Sequence, residues 1–103
     1  MYAQVTTVEA SPAKLDEATH HVRQHILPEL QQMDGFQGFI ALGNRRSGKL
    51  LSIAFWESEE VMQSTVEVMS RTRGGIRHPP GGAVVGVEDY EVSIFEVSSE
   101  QEI

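Results

Sequence analysis

With 103 residues, 40% of them apolar, the chain is long enough for one globular domain and too hydrophobic for a disordered tail. Its net charge of −7 disfavours nucleic acid and anionic membranes as partners, and the lack of cysteine excludes disulfides and thiolate chemistry. No apolar run is long enough to span a membrane and the N-terminus carries no secretory signal, so we expect a cytoplasmic protein without membrane contact.

The first third of the chain predicts a strand followed by an amphipathic helix. Residues Tyr2 to Val8 are rich in β-branched side chains, which favour a strand. Ser11-Pro12 is a helix-start signal, because serine can cap a helix and proline suits its first position. Apolar residues then recur at three- and four-residue steps, which predicts an amphipathic helix: Leu15, Ala18, Val22, Ile26, Leu30 and Met33. Pro28 lies inside this helical pattern, so we expect a kink or reset near Gln24.

The remaining chain predicts three strands and a second helix. Two strands, Phe36 to Leu42 and Leu50 to Trp56, are joined by the basic, glycine-containing segment Arg45 to Lys49, which should close a hairpin. Ser58 is placed to cap the second helix, which should run to Arg73. A Gly- and Pro-rich loop follows, and the final strand lies within Ala83 to Val97.

This β-α-β-β-α-β order predicts a ferredoxin-like α+β fold, in which an antiparallel four-stranded sheet carries both helices on one face. We expect residues 1–97 to form this single domain and residues 98–103 to form an acidic C-terminal tail.

The strands are apolar on both of their faces. In the third strand Leu51, Ile53 and Phe55 alternate with Leu50, Ala54 and Trp56, and Ser52 is the only polar residue between them. In the second strand Phe36, Ile40 and Leu42 oppose Phe39 and Ala41. Because the helices cover only one face, we expect a second copy to cover the other, giving a homodimer whose sheets pack face to face.

Three segments of the chain form a recognisable set: Leu27-Pro28-Glu29-Leu30, Gly35-Phe36-Gln37-Gly38-Phe39, and Ser52-Ile53-Ala54-Phe55-Trp56-Glu57-Ser58-Glu59-Glu60. Together they resemble the antibiotic biosynthesis monooxygenase domain of the dimeric α/β-barrel superfamily. The resemblance covers roughly residues 1–97 and independently implies a dimeric α/β barrel. It also implies a cofactor-independent monooxygenase that acts on a small aromatic or quinone-like substrate.

Two alternatives stay open within the resemblance. The polyketide monooxygenases place an asparagine shortly before the tryptophan, and Leu50 to Ala54 contains none, which favours a non-catalytic ligand-binding or stress-associated dimer. Haem-degrading relatives use a first-strand asparagine and a second-helix histidine. Here the first strand offers Gln4 and the second helix has no histidine, so haem binding is less expected.

Four residues are candidates for the site, each with a structural alternative. Trp56 could stack on a flat ligand and orient an oxygen, or simply fill the core. Asn44 could donate to a substrate carbonyl or stabilise the turn. His78, in the Gly/Pro loop, could act as an acid or base, and Tyr90 could donate a hydrogen bond or pack at an interface.

Two further clusters have a simpler explanation than a site. His21, His25 and Glu29 lie one helical turn apart and could hold a metal, but a solvated helix boundary explains them better, so we predict no metal site. Arg45, Arg46 and Lys49 form the only basic cluster, which we expect to contact solvent or the acidic C-terminal tail. No cofactor motif is present, and we expect no cofactor.

Overall fold

The computed structural model describes residues 1–64 and 82–98, which contain a four-stranded antiparallel sheet. The strands are β1 (Tyr2–Ala10), β2 (Phe36–Gly43), β3 (Lys49–Trp56) and β4 (Gly82–Glu91). They lie in the order β2-β3-β1-β4, and every neighbouring pair is antiparallel. The predicted ferredoxin-like arrangement is therefore confirmed.

The first helical region is interrupted by a π-helical turn a few residues before Pro28. A 3₁₀ turn (Pro12–Lys14) leads into α1 (Leu15–His21), a π-helical turn (Val22–Ile26) and α2 (Leu27–Gln31). The N–H of the residue before Pro28 bonds to a carbonyl five residues back, which marks the π turn. Because proline has no N–H and its ring collides with the carbonyl four residues earlier, a regular α-helix cannot continue here. The predicted reset is confirmed.

The two predicted serine caps have different outcomes. Ser58 accepts a hydrogen bond on Oγ from the Val61 N–H at 3.2 Å, and the helix that it caps, α3, is described over residues 59–64. Ser11 occupies the N-cap position and Pro12 the first helical position, so the predicted helix start is confirmed, although the Ser11 side chain makes no capping hydrogen bond. The continuation of the second helix to Arg73 and the Gly/Pro loop fall within residues 65–81, outside the described part of the chain.

The core lies between the helices and one face of the sheet, the helix-facing side, in two clusters of buried residues. One cluster contains Val8, Leu15, Ala18, Val22 and Leu50. The other contains Leu30, Ala54, Trp56 and Met62. Ile26 and Phe39 pack against both clusters and so join them into one layer.

The opposite side of the sheet carries apolar residues that no described helix covers. We call it the open face, and its larger side chains are Val5, Ile40, Leu42, Leu51, Ile53, Phe55 and Tyr90. The predicted division of β3 into two apolar faces is confirmed, since Leu50, Ala54 and Trp56 are buried and the alternating residues are only half-buried.

The prediction for β2 is wrong at one position. Phe36 pairs with Trp56 and packs in the same cluster, so it shares the helix-facing side with Phe39 instead of opposing it. The cause is a register shift between Phe36 and Gly38, which places an extra residue in β2. One inserted residue moves every side chain before it to the other face of the sheet.

Candidate functional site at Trp56

Trp56 is the last residue of β3 and the largest fully buried side chain, with 1% of its surface exposed. The Phe36 ring meets the indole edge-to-face, with the ring centroids 5.4 Å apart and the planes inclined by 72°. Leu30 of α2 and Met62 of α3 belong to the same buried cluster. Side chains from two helices and a neighbouring strand therefore hold the indole in place.

The indole N–H of Trp56 is buried and meets no hydrogen-bond acceptor within residues 1–64 and 82–98. Nearly all buried donors in native proteins are paired, because an unmade hydrogen bond costs about 1–3 kcal/mol. A buried donor without an acceptor is therefore a candidate contact for an oxygen atom of a bound molecule.

A polar group lies beside Trp56 on the same side of the sheet. Gln4 of β1 pairs with Ala54 on β3 and with Asp89 on β4. The Asp89 carboxylate accepts hydrogen bonds from Gln4 Nε2 at 3.4 Å and from Gln63 Nε2 of α3 at 3.3 Å. Diagonal neighbours across antiparallel strands are about 7–8 Å apart, so this group borders the indole.

Asp89 and Gln63 are not among the residues that the sequence predicts for the site. Asp89 stands in a strand in which Glu88, Asp89, Tyr90 and Glu91 offer no apolar alternation, so its face could not be read from the pattern. The usable signal was Gln4, a polar residue at an inward position of a central strand. Polar residues at such positions call for partners on neighbouring elements.

Asn44 lies at the end of the sheet away from Trp56, beside the β2–β3 hairpin. Its Oδ1 accepts hydrogen bonds from the N–H groups of Arg46 at 2.9 Å and Ser47 at 3.2 Å. Gly48, with φ of 81°, completes this turn, and its N–H donates to the Asn44 carbonyl at 2.7 Å. The predicted hairpin is confirmed, and the Asn44 side chain is engaged in the turn.

Tyr90 lies on the open face, across the sheet from Trp56, and half of its surface is exposed. Its hydroxyl donates a hydrogen bond to Glu88 Oε1 at 2.8 Å. This hydrogen bond, and next the negative charge of Glu88, raise the pKa of Tyr90 above its ordinary value of 10.0. A single chain therefore does not bring Trp56, Asn44 and Tyr90 together. His78 lies outside the described residues.

The alternative of a metal site concerns His21, His25 and Glu29 in the first helical region. The rings of His21 and His25 are 4.9 Å apart and inclined by 38°. Within residues 1–64 and 82–98, no three histidine, aspartate or glutamate side chains converge in a way that could hold a metal ion. In the same ranges, no helix has the length and apolar character needed to cross a membrane.

These observations define the chain as a small ferredoxin-like α+β domain with a buried tryptophan between sheet and helices. The family signature of antibiotic biosynthesis monooxygenases matches residues 1–66, more than half of the chain. The chain belongs to this family.

Relatives in Mycobacterium tuberculosis strain H37Rv share the sequence over most of the chain. The uncharacterized protein Rv2558 is 38% identical over 95 residues, which are 92% of this chain and 40% of that protein. The uncharacterized protein Rv2557 is 33% identical over 93 residues, 90% of this chain and 41% of that protein. The chain thus spans about 40% of the length of the curated relatives it matches.

Solved structures show the same fold at low sequence identity. The haem-degrader MhuD of Mycobacterium tuberculosis, with two haems bound, superposes with a TM-score of 0.75 at 18% identity, covering 94% of this chain and 100% of that one. A monooxygenase from the gene ActVA-Orf6 of Streptomyces coelicolor, in complex with nanaomycin D, gives 0.57 at 13%, covering 93% and 92%. These likenesses establish the fold.

Proposed function

We propose that the chain is a cofactor-independent monooxygenase that binds a small aromatic or quinone-like molecule beside Trp56, on the helix-facing side of the sheet. The observation that carries the proposal is the buried indole N–H without an acceptor among the described residues. Family membership supports the reaction class. Phe36 and Met62 form an apolar surround, which suits a flat, weakly polar ligand.

The reaction in this proposal takes place on the substrate. An aromatic substrate with an activated CH₂ group loses a proton to give an electron-rich carbanion, which reacts with O₂. One oxygen atom becomes the carbonyl of the quinone-type product, and the other leaves as water. Trp56 N–H donates to a substrate oxygen and so favours the charge that develops there, while the apolar surround excludes bulk water.

Haem, which MhuD binds, fits the described surroundings of Trp56 less well. The described side chains that pack with Trp56 are apolar or aromatic and contain no imidazole. A haem iron needs an axial ligand such as histidine. We therefore derive no step through haem.

The functional unit in this proposal is a homodimer. Ile40, Leu42 and Tyr90 keep between 41% and 50% of their surface exposed on a sheet face that no described helix covers. These side chains lie on both edge strands of the face, and exposed apolar side chains spread over one face are typical of protein interfaces. Members of the family are generally dimeric, which supports pairing through the open face.

The test measures oxygen uptake with anthrone-type substrates, which carry the activated CH₂ group of the proposed reaction. We expect Trp56→Phe to lower kcat/KM about tenfold to hundredfold, because it removes the donor but keeps an aromatic ring. Met62→Leu is the matched control, since it changes a neighbour of Trp56 at similar volume without altering a hydrogen bond, and it should stay within a few-fold of wild type.

Other outcomes decide between the alternatives. Unchanged turnover in Trp56→Phe contradicts a role for the indole N–H. Saturable binding of the aromatic probe without oxygen uptake favours the non-catalytic ligand-binding dimer. A protein-dependent shift of the Soret band on titration with haem favours haem binding over the monooxygenase.

A further inference from the structure

A concave surface of about 570 Å³ lies where the open face meets the β2–β3 hairpin. Leu42 and Leu51 form its apolar floor, and Arg46 and Lys49 stand at its rim. Leu42 keeps 49% of its surface exposed, although it belongs to a sheet. We call this surface the basic groove.

The positive charge of the basic groove is only partly compensated. Arg45 is paired, because its Nη2 lies 3.1 Å from Asp16 Oδ1. Arg46 and Lys49 form no ion pair in the part of the chain that the structure describes, although Glu9 of β1 lies directly opposite Lys49 across the strands. Arg46 and Lys49 thus give the groove a positive rim in a chain with 15 acidic and 8 basic residues. Because the floor is apolar, the groove favours a partner that is acidic and partly apolar.

The chain itself contains a segment with that chemistry. Residues 92–98 follow β4 and lead into the acidic C-terminal tail; we call them the tail segment. Within this segment Ile94, Phe95 and Val97 are 84%, 53% and 64% exposed. Glu96 lies among them and is also exposed. The tail segment thus presents apolar side chains together with a carboxylate, which matches the apolar floor and cationic rim of the basic groove.

Within one copy the tail segment and the basic groove are at opposite ends of the sheet. The tail begins beside the N-terminus, where the Val92 N–H donates to the Met1 carbonyl at 2.9 Å, and Phe95 packs on Phe55 with ring centroids 5.5 Å apart. The hairpin lies at the other end of β3, whose eight residues span about 26 Å.

We propose that the basic groove of one copy binds the tail segment of a second copy, with Arg46 and Lys49 facing Glu96 and with apolar tail residues on Leu42 and Leu51. A two-fold axis that lies between the sheets and across the strands turns the second copy end for end. Each tail then reaches the partner's groove, and the two contacts are equivalent and closed. This inference rests on the homodimer of the proposed function and specifies its orientation.

Charge reversal tests the contact by sedimentation at low and high salt. Arg46→Glu/Lys49→Glu and Glu96→Lys should each weaken dimerisation about tenfold at low salt, and the three changes combined in one chain should restore most of it. Lys14→Glu/Arg23→Glu is the matched control, because it makes the same change in net charge on exposed helical residues outside the groove. It should leave the dimer within about threefold of wild type.

The chain has no cysteine, so engineered cysteines report the orientation directly. Ser47→Cys protein mixed with differently tagged Ser98→Cys protein should form a disulfide-linked heterodimer on mild oxidation. Each variant alone should remain largely unlinked, since the two-fold axis keeps like positions apart.

Three results overturn the inference. A dimer that tolerates both charge reversals keeps the homodimer and removes this contact. A groove variant that weakens the dimer without rescue by Glu96→Lys keeps the groove in the dimer contact but removes Glu96 as its partner. A wild-type protein that sediments only as a monomer of 11.4 kDa removes the homodimer as well, while the Trp56 experiment still tests the monooxygenase.

Discussion

On the helix-facing side of the sheet, Leu50, Trp56 and Met62 are at most 1% exposed, whereas on the open face Leu42 and Tyr90 keep about half of their surface in solvent. Both sides are built from the same kinds of apolar residue along the same strands. The helix-facing side contributes to the stability of one chain, whereas no described helix covers the open face. Apolar alternation along a strand thus does not reveal which side supports the fold of the chain alone.

The largest expected effect separates the two sides directly. Leu50→Ala on the helix-facing side should lower the free energy of unfolding by about 2–5 kcal/mol at any protein concentration, because it leaves a cavity in the core. Leu42→Ala on the open face should cost less than about 1 kcal/mol in dilute protein, with a larger effect as concentration rises. Urea unfolding at two protein concentrations measures both, and equal losses would contradict the distinction.

The hairpin where the two sides meet provides the next test. Gly48 has φ of 81°, and a Cβ there would collide with the backbone oxygen of Ala10, so Gly48→Ala should cost at least about 1–3 kcal/mol. A Cβ at Gly86 of β4 would meet no atom of the described residues within 4 Å, so Gly86→Ala should be neutral or stabilise by about 0.5 kcal/mol. Thermal unfolding of the pair checks this, and a reversed order would contradict the turn geometry.

The sequence was sufficient for the order of elements along the chain and for the hairpin, because these depend on local signals. Gly48, the Asn44 turn and the alternation of β3 each concern residues close in the chain. It was insufficient for the side occupied by Phe36, because one extra residue in β2 reverses the alternation without changing the composition. It was equally insufficient for the Asp89 group, whose partners Gln4 and Gln63 are 85 and 26 positions away.

The candidate site was predictable only in its centre. Trp56 stands out as the single tryptophan at the end of an apolar strand. Its missing hydrogen-bond partner is a three-dimensional property that no spacing reveals. Tyr90 is separated from Trp56 because β4 turns the Tyr90 side chain to the open face. The β1–β4 pair also contains a register shift between Thr7 and Val8, which the sequence does not reveal.

A smaller effect tests how the helix-facing side is closed. Ser58→Ala should lower stability by about 1 kcal/mol, because the Val61 N–H loses the oxygen that caps α3. Ser11→Ala is the matched control and should change stability by less than about 0.5 kcal/mol, since the Ser11 side chain makes no cap. A larger loss for Ser11→Ala would contradict the described caps.

The smallest effect concerns the titration of the open face. Glu88→Gln should lower the pKa of Tyr90 toward its ordinary value, since the hydrogen bond to the carboxylate and its charge both hold the proton on the hydroxyl. A pKa raised by folding gives stability that is complete below the unfolded-state pKa and is lost as pH rises through the folded-state value, above pH 10. Ultraviolet titration against Tyr90→Phe measures the shift, and an unchanged pKa would exclude the Glu88 contact in solution.

The π-helical turn at Val22–Ile26 has a consequence for changes in chain length. The core-facing positions are Leu15, Ala18, Val22 and Leu30, which are buried, and Ile26, which is half-buried; they are separated by steps of three, four, four and four residues. In the π turn the Leu27 N–H bonds to the Val22 carbonyl five residues back, so this turn holds one residue more than a turn of α-helix. Deleting one exposed residue of this turn, such as Gln24, would leave α1 and α2 facing the same core. A deletion within α1 would instead rotate its earlier residues by about 100° relative to the sheet, which makes the turn the one described part of this helix where length can vary.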